Sequence, residues 1–336
     1  MELRTEVLGE VEGVCVRPVH SREQTATGVL VLSGSSGRVE IERAGVLAGV
    51  GATALTYRWF GSPGQPGGIW ELPLESFDWA VDRLASLCDR VVLVGASKSA
   101  EAFLLYAADD PRVDAVVAVS PSHVVWANVA PGPDGSLRPQ HSSWSRAGRP
   151  VPFVPYDDEV AATGDPAAFE PVYRASLTTH AGRVAAATIP VERFFGDVLL
   201  VAGGDDQVWP SLDSAQRIKA RRAAYDLPTT LVTHPGAGHR VMLPGERAPS
   251  GLLRWRAAGP KRPTGPWGCS PGPRSGVCWA PHPPEIDRAT GRTREPRGGY
   301  VHGCPRGSLN RQEPFTWIRP TSSRPRGRLA TTRLSR

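Results

Sequence analysis

The sequence has few of the features that mark a membrane protein, a secreted scaffold or a metal protein. It has five cysteines in 336 residues, and no apolar run approaches the roughly 18–20 residues needed to cross a bilayer. The first residues show no basic segment followed by an apolar core, as a secretory leader would. These absences predict a cytoplasmic protein without a membrane span.

The cysteines show no arrangement that would hold a metal. Cys15 and Cys88 stand alone in the body of the chain, which fits a reducing compartment. Cys269, Cys278 and Cys304 also lack the spacing of a zinc site. We therefore expect neither a metal nor a cofactor.

Charge is distributed unevenly along the chain. The net charge is +6, yet residues 251–336 hold 17 Lys and Arg against 4 Asp and Glu, whereas residues 1–250 hold 22 against 29. The body is mildly acidic and the basicity belongs to the tail. Nucleic-acid binding by the body is therefore not expected.

Apolar, strand-like runs alternate with helical patterns over residues 28–247. Near-continuous apolar strands alternating with helices indicate a mostly parallel sheet with helices on both faces, an α/β fold. One or two short strands are predicted within residues 1–27. The later strands are predicted at residues 28–32, 52–57, 91–94, 113–119, 198–202 and 229–233, and the helices at 41–50, 74–87, 211–225 and from residue 100.

Residues 120–195 interrupt this alternation. They are rich in aromatics and prolines, Trp126 and Trp144 among them, and show no strong period. The insertion begins directly after a strand, at the sheet edge where ligands bind in open α/β sheets. We interpret it as a lid over the site. The alternative is a peripheral excursion with no part in binding.

A strand, a sharp turn and a helix meet at residues 91–105. The apolar run 91–94 leads into Gly95-Ala96-Ser97, and a helical pattern follows at once. This layout is typical of a nucleophile elbow, in which the turn exposes a serine beside a base. The usual Gly-x-Ser-x-Gly pattern has Ser99 in place of its last glycine, which predicts some crowding. The alternative is an ordinary turn with Ser97 as a helix N-cap.

An aspartate and a histidine follow later strands in the order that a nucleophilic serine requires. Ser, Asp, His is the chain order of α/β-hydrolases. A Gly-x-x-Asp turn favours Asp206 as the acid, and Asp205 is more typical of a turn residue. His239 lies in a Gly-Ala-Gly-His loop after the last strand, with His234 as a weaker candidate. Ser97 would attack an acyl carbonyl, with His239 as base and Asp206 orienting the imidazole.

The oxyanion formed in that attack needs backbone donors. We predict the N–H of Lys98 and one from the small-residue loop 33–37, that of Ser35. The Lys98 side chain is expected to be solvated or paired and not catalytic. Glu101 is expected on the serine's side of the helix, where it would cap, form an ion pair or orient its neighbours.

Seven ordered segments resemble a known family. They are similar to the carboxyl-terminal domain shared by acyl-CoA thioester hydrolases and bile acid-CoA:amino acid N-acyltransferases, over about residues 28–243. The segments are LSGSSG (32–37), PLESF (73–77), GASKSAE (95–101), PSHVVW (121–126), PFVPY (152–156), GDDQVWPS (204–211) and PGAGH (235–239).

The resemblance implies an α/β-hydrolase fold that acts on acyl-CoA thioesters, with Ser97, Asp206 and His239 as the matching triad. Family hydrolases carry a serine nucleophile and the mammalian amino acid transferases a cysteine, so Ser97 favours hydrolysis. Ser99 departs from the usual glycine, and the 27 residues before the first predicted sheet strand are too few for us to expect the amino-terminal β-sandwich of the mammalian enzymes within this sequence. The predicted function is acyl-CoA thioester hydrolysis. The alternatives are an acyl-CoA-dependent N- or O-acyltransferase, a generic carboxylesterase and an inactive truncated homologue.

The resemblance ends near residue 246. The family pattern implies a Gly-rich loop and a last helix that would bury apolar surface behind the histidine loop, a contribution of several kcal/mol at about 25 cal/mol per Å². Residues 251–336 instead hold 13 of the 33 prolines and three of the five cysteines. Arg, Pro and Gly have GC-rich codons, so we hypothesise that residues 248–336 are a frameshift product. The alternative is a disordered basic tail.

Resequencing the gene around codons 246–252 tests this hypothesis. We expect a single-base insertion or deletion whose correction restores a helical, aliphatic carboxyl terminus. A confirmed reading frame together with a folded tail would refute it.

Overall fold

The described part of the computed structural model covers residues 2–19, 26–164 and 167–247. The predicted tail, residues 248–336, lies outside it. The strands are β1 (Leu3–Val7), β2 (Gly13–Pro18), β3 (Thr27–Leu32), β4 (Thr53–Tyr57), β5 (Leu72–Pro73), β6 (Arg90–Ala96), β7 (Ala115–Val119), β8 (Trp144–Arg146), β9 (Arg149–Pro150), β10 (Asp197–Gly203) and β11 (Thr229–His234). The α-helices are α1 (Ile41–Gly49), α2 (Asp78–Leu87), α3 (Lys98–Ala107), α4 (Glu170–Thr179), α5 (Ala181–Ala187) and α6 (Ser211–Ala223), with 3-10 turns at Leu74–Phe77 and Val191–Arg193.

Eight strands form the central sheet, in the order β1-β2-β4-β3-β6-β7-β10-β11. Strand β2 is antiparallel to both of its neighbours, and the pairs from β4 to β11 are parallel. Parallel strands place their carboxyl ends at one edge of the sheet. The predicted site residues at the ends of β6, β10 and β11 are therefore brought to the same edge.

The central strands are apolar on both faces because helices cover both. Alternate residues of β6, such as Leu93, pack in a large cluster with Phe103 of α3 and Ile218 of α6. On the opposite face, Ala44 and Ala48 of α1 pack against β2 and β4. Two-sided burial of this kind makes a strand read as a continuous apolar run. The mostly parallel sheet with helices on both faces is the predicted α/β-hydrolase fold, and that prediction is confirmed.

The predicted elements match the observed ones apart from their ends. The segment 74–87, predicted as one helix, begins as a 3-10 turn and becomes α-helical only at Asp78. Pro73 precedes this turn in extended backbone, as proline geometry favours. Residues 2–19 contain two strands, β1 and β2.

The insertion holds more regular structure than its sequence indicates. Within residues 120–164 and 167–195 it contains helices α4 and α5 and strands β8 and β9, which form a small sheet with β5. Helix α4 fully buries only Ser176. So sparse an apolar face leaves little helical periodicity to detect in the sequence.

A buried ion pair fastens the last described residues to the body. Nε and Nη2 of Arg43, on α1, donate to the Glu246 carboxylate at 3.0–3.2 Å. Arg43 Nη2 also donates to the carbonyl of Val241 at 2.8 Å. The loop after β11, which carries His239, is therefore tied to helix α1.

His123, near the start of the insertion, is expected to make the stability of the fold depend on pH. The residue is only 6 % exposed, and its Nδ1 lies 2.9 Å from Ser214 Oγ on α6. Burial, reinforced by the charge of Arg217, lowers the pKa of His123 to about 4, from an ordinary 6.5. As the pH falls, the unfolded chain therefore binds a proton at this histidine before the folded protein does. The free energy of unfolding decreases as a result between about pH 6.5 and 4.

We expect the free energy of unfolding to fall by about 2 kcal/mol, because of His123 alone, when the pH is lowered from 8 to 5. Urea denaturation at both pH values measures it. His123→Asn keeps a polar partner for Ser214 but does not titrate, so it should show a smaller loss by that amount. Equal losses in the two proteins would exclude His123 as the cause.

Candidate active site

Ser97 occupies a strained turn between β6 and α3. Its backbone has φ 57° and ψ −117°, a left-handed region that non-glycine residues avoid at a cost of roughly 1–3 kcal/mol. The Ser97 N–H donates to the carbonyl of Val119 at 2.9 Å. A Cβ at Gly95 would lie 2.7 Å from the backbone N of Ala100, so this position requires glycine. The backbone has the sharp strand-to-helix geometry expected of a nucleophile elbow.

Ser99 is tolerated in the crowded turn because its buried hydroxyl is hydrogen-bonded to the backbone around it. The side chain is fully buried. Its Oγ donates to the carbonyl of Leu32 at 2.8 Å and accepts from the N–H of Ala96 at 2.8 Å. The hydroxyl thereby joins the elbow to the end of β3.

The loop after β3 lies directly against Ser97. A Cβ at Gly34 would stand 2.9 Å from Ser97 Cβ and 3.4 Å from its Oγ. The loop is closed by the N–H of Gly37, which donates to the carbonyl of Gly34 at 3.1 Å. Ser35, the predicted second oxyanion donor, follows Gly34 and is exposed.

Asp206 is buried, with a side chain only 3 % exposed, and accepts from several donors. Its carboxylate accepts from the N–H groups of Val208 at 2.9 Å and Trp209 at 3.2 Å, and from the Ser211 hydroxyl. His239 Nδ1 lies 2.8 Å from Oδ2. These donors stabilise an ionised carboxylate at the end of β10.

The structure brings Asp206 to His239 and leaves the alternatives in turns. Asp205 accepts from the Gln207 side chain at 2.7 Å, and His234 Nδ1 accepts from the N–H of Gly236 at 3.1 Å. With Nδ1 of His239 donating to Asp206, the ring's Nε2 is the nitrogen left to act as a base. The imidazole is 13 % exposed.

Ser120, at the end of β7, lies between the elbow and the histidine. It has a positive φ of 48°, and its Oγ donates to the backbone carbonyl of His239 at 2.6 Å. Its neighbour Val119 accepts from the Ser97 N–H. Sequence analysis missed Ser120 and the Asp206 partner Ser211. A serine at a strand end carries no sequence pattern that reveals such contacts.

An aromatic cluster extends from the histidine into the insertion. The Trp209 ring meets His239 edge-on at 5.8 Å between centroids. Tyr173 of α4 packs against Trp209 at 5.6 Å and against Trp126 at 4.8 Å. The insertion therefore reaches the site residues through packed rings.

Lys98 and Glu101 form a buried ion pair in the first turn of α3. Their side chains are 2 % and 0 % exposed, with Nζ 3.2 Å from each Glu101 oxygen. Of the two predicted alternatives for the Lys98 side chain, solvated or paired, the structure shows the paired one. Burial lowers the pKa of Lys98 and raises that of Glu101, and attraction between the two opposes both shifts.

Within the described ranges, no group of three or more His, Cys, Asp and Glu side chains is arranged to hold a metal ion. Among the same residues, no helix has the length and apolar character to span a membrane. Cys15 and Cys88 are buried, and neither forms a disulfide within the described residues.

Comparison with known proteins gives a family match and remote structural likenesses. The family described as "BAAT / Acyl-CoA thioester hydrolase C terminal" matches residues 72–248. Est1E from Butyrivibrio proteoclasticus is 14% identical, with 71% of this chain and 90% of that one covered and a TM-score of 0.40. An esterase domain from Rhodothermus marinus is 16% identical over 71% of this chain and 88% of its own, with a TM-score of 0.40. The acylaminoacyl peptidase of Pyrococcus horikoshii is 10% identical over 69% and 36%, with a TM-score of 0.44. No curated protein matches the sequence.

The contacts of Asp206 generate a prediction that separates it from its neighbour. The neutral amide of the Asp206→Asn variant cannot orient His239 as the carboxylate does. The kcat for ester hydrolysis should therefore fall by about 10³–10⁴-fold. Asp205→Asn is the matched control and should stay within about twofold of the wild-type kcat. Initial rates with p-nitrophenyl acetate measure both, and equal losses would contradict the assignment.

Proposed function

The chain belongs to the BAAT / acyl-CoA thioester hydrolase C-terminal family, and we propose that it hydrolyses acyl-CoA thioesters through Ser97, His239 and Asp206. The family is one of α/β-hydrolases of esterase and thioesterase type. The observation that carries the proposal is the 2.8 Å contact of His239 Nδ1 with buried Asp206, at the sheet edge that also holds the strained Ser97. A strained serine and an imidazole oriented by a carboxylate, at one edge of the sheet, support a role in acyl transfer.

The first half-reaction forms an acyl-enzyme. His239 Nε2 takes the proton of Ser97 Oγ as Oγ bonds to the thioester carbonyl carbon. The tetrahedral intermediate then collapses, the carbon–sulfur bond breaks, and the thiol of coenzyme A leaves with the proton held by His239. The negative charge of Asp206 stabilises the imidazolium in between.

The second half-reaction restores the serine. Water enters, His239 removes its proton, and the resulting oxygen bonds to the acyl carbon. Collapse of this second intermediate breaks the bond to Ser97 Oγ and returns the proton to it. The products are a carboxylic acid and free coenzyme A.

Two backbone donors are proposed for the oxyanion, the N–H groups of Lys98 and Ser35. Lys98 begins helix α3, where free N–H groups and the helix dipole favour negative charge. The closeness of Gly34 to Ser97 supports a donor from the neighbouring loop. The serine nucleophile favours water as the acceptor over an amine.

A panel of acyl-CoAs of rising chain length, with free thiol detected at each turnover, tests the substrate. We expect thiol release for at least one chain length at a kcat/KM at least tenfold above that for p-nitrophenyl esters. Ser97→Ala should abolish release. Full activity of Ser97→Ala would exclude the nucleophile, and ester cleavage without thioester cleavage would indicate a carboxylesterase.

The same assay distinguishes a transferase. Amino acids added as acceptors should leave thiol release unchanged and yield no amide by mass spectrometry. Amide formation that outpaces free-acid formation would overturn hydrolysis as the main reaction. A second protein with the carboxyl-terminal frame restored runs beside the full chain, and activity confined to it would identify the present chain as an impaired homologue.

A further inference from the structure

The buried pair of Lys98 and Glu101 takes no chemical part in the proposed reaction. Both charged side chains lie in the helical turn that follows Ser97 and are almost fully buried. Replacing a buried ion pair by apolar side chains is often neutral or stabilising, so stability by itself does not explain the pair. Its contacts point to another role.

Each member of the pair holds the insertion. Glu101 Oε1 accepts from the backbone N–H of Trp126 at 3.1 Å and from the indole N–H of Trp144 at 2.8 Å. Lys98 Nζ donates to Ser143 Oγ at 2.8 Å. Two separate segments of the insertion are therefore bound to one turn of α3.

This first turn of α3 follows the Ser97 elbow directly in the chain. Lys98 supplies the proposed oxyanion N–H, and the N–H of Glu101 donates to the carbonyl of Ser97 at 3.1 Å. Side chains anchored in the insertion thus fix the backbone that must meet the oxyanion. Oxyanion donors act over a narrow range of distance and angle, so small shifts of this turn reduce the rate.

The other end of the insertion reaches the base. Trp126, which donates its N–H to Glu101, packs against Tyr173, and Tyr173 packs against Trp209 beside His239. The elbow, the insertion and the base are thereby joined in one continuous set of contacts.

We propose that Lys98 and Glu101 are a positioning pair that couples the insertion to the elbow and holds the Ser97 turn in register with His239. The inference rests on the proposed nucleophilic role of Ser97. It implies that the insertion takes part in assembling the oxyanion site.

A pair of double variants tests the inference. Lys98→Met with Glu101→Gln removes both charges but keeps an oxygen that accepts from Trp126 and Trp144. Lys98→Met with Glu101→Leu removes the acceptor as well. With p-nitrophenyl acetate, we expect the Leu variant to lose about 100-fold in kcat with KM within about threefold, because misplaced donors weaken transition-state binding. The Gln variant should recover about tenfold of that loss.

Arg222→Met is the matched control. Arg222 is a fully buried cation on α6 that binds the carbonyls of Val191 and Phe194, at the carboxyl end of the insertion, and that of Gly196. It should lower the melting temperature and leave kcat within about twofold, since it perturbs the end of the insertion but not the hydrogen bonds of Trp126, Ser143 and Trp144 to the pair. A loss of kcat in this control equal to that of the Leu variant would reduce the effect to general destabilisation and overturn the inference.

Trp144→Phe keeps the test decisive where a double variant does not fold. It keeps an aromatic ring against Trp59 and removes the indole N–H that donates to Glu101, together with some buried volume. It should lower kcat by about threefold to tenfold without changing KM. An unchanged kcat in Trp144→Phe, or in a folded Leu variant, or equal kcat in the Leu and Gln variants, overturns the pair's role.

Labelling by a fluorophosphonate separates this inference from the proposed function. The probe phosphonylates a nucleophilic serine, Oγ displacing fluoride at phosphorus, and needs no acyl-CoA. Wild-type protein that is not labelled at Ser97 overturns the proposed function. If the wild type is labelled and the Leu variant is labelled at the same rate, only the inference about the positioning pair is overturned. If the Leu variant is labelled about tenfold or more slowly than the wild type, that inference is supported.

Discussion

The left-handed backbone of Ser97 is the constraint on which the rest of the site depends. A non-glycine residue keeps this conformation only where its surroundings over-determine it. Here the carbonyl of Val119, the Ser99 hydroxyl and the bare backbone of Gly95 fix the turn from three sides. Two of these contacts come from the neighbouring strands β3 and β7, so the parallel sheet offsets the strain at Ser97.

Buried charge is concentrated around this sheet edge, and each charge has a specific partner. Asp206 accepts from His239, two backbone N–H groups and Ser211. Glu101 accepts from Lys98 and two tryptophans, and Glu246 from Arg43. A buried carboxylate left without donors costs several kcal/mol. The satisfied groups therefore keep the elbow, the insertion and the histidine loop in fixed relative positions.

Most of the fold, and the order of the site residues, could be predicted from sequence because strong local patterns record them. The apolar run of β6 and the small residues around Ser97 record two-sided burial and a tight turn. The helices of the insertion could not be predicted, because α4 buries little apolar surface. Ser120 could not be predicted either, since its partner His239 lies 119 residues away along the chain. Ser211 is close to its partner Asp206 in sequence, but no local pattern indicates that its hydroxyl turns back to that carboxylate.

The sequence by itself determined the α/β architecture, the family and the choice of Ser97, Asp206 and His239 as candidates, because periodicity, turn chemistry and ordered motifs are local properties. Only the tertiary structure decided that Asp206 and not Asp205 meets His239, and that Lys98 is buried against Glu101. The side chains of Asp205 and Asp206 are adjacent and chemically identical. What separates them is the direction in which the turn after β10 points each carboxylate. Hydrogen bonds from Val208, Trp209 and Ser211 hold that of Asp206, and only the folded sheet brings His239, 33 residues later, to meet it.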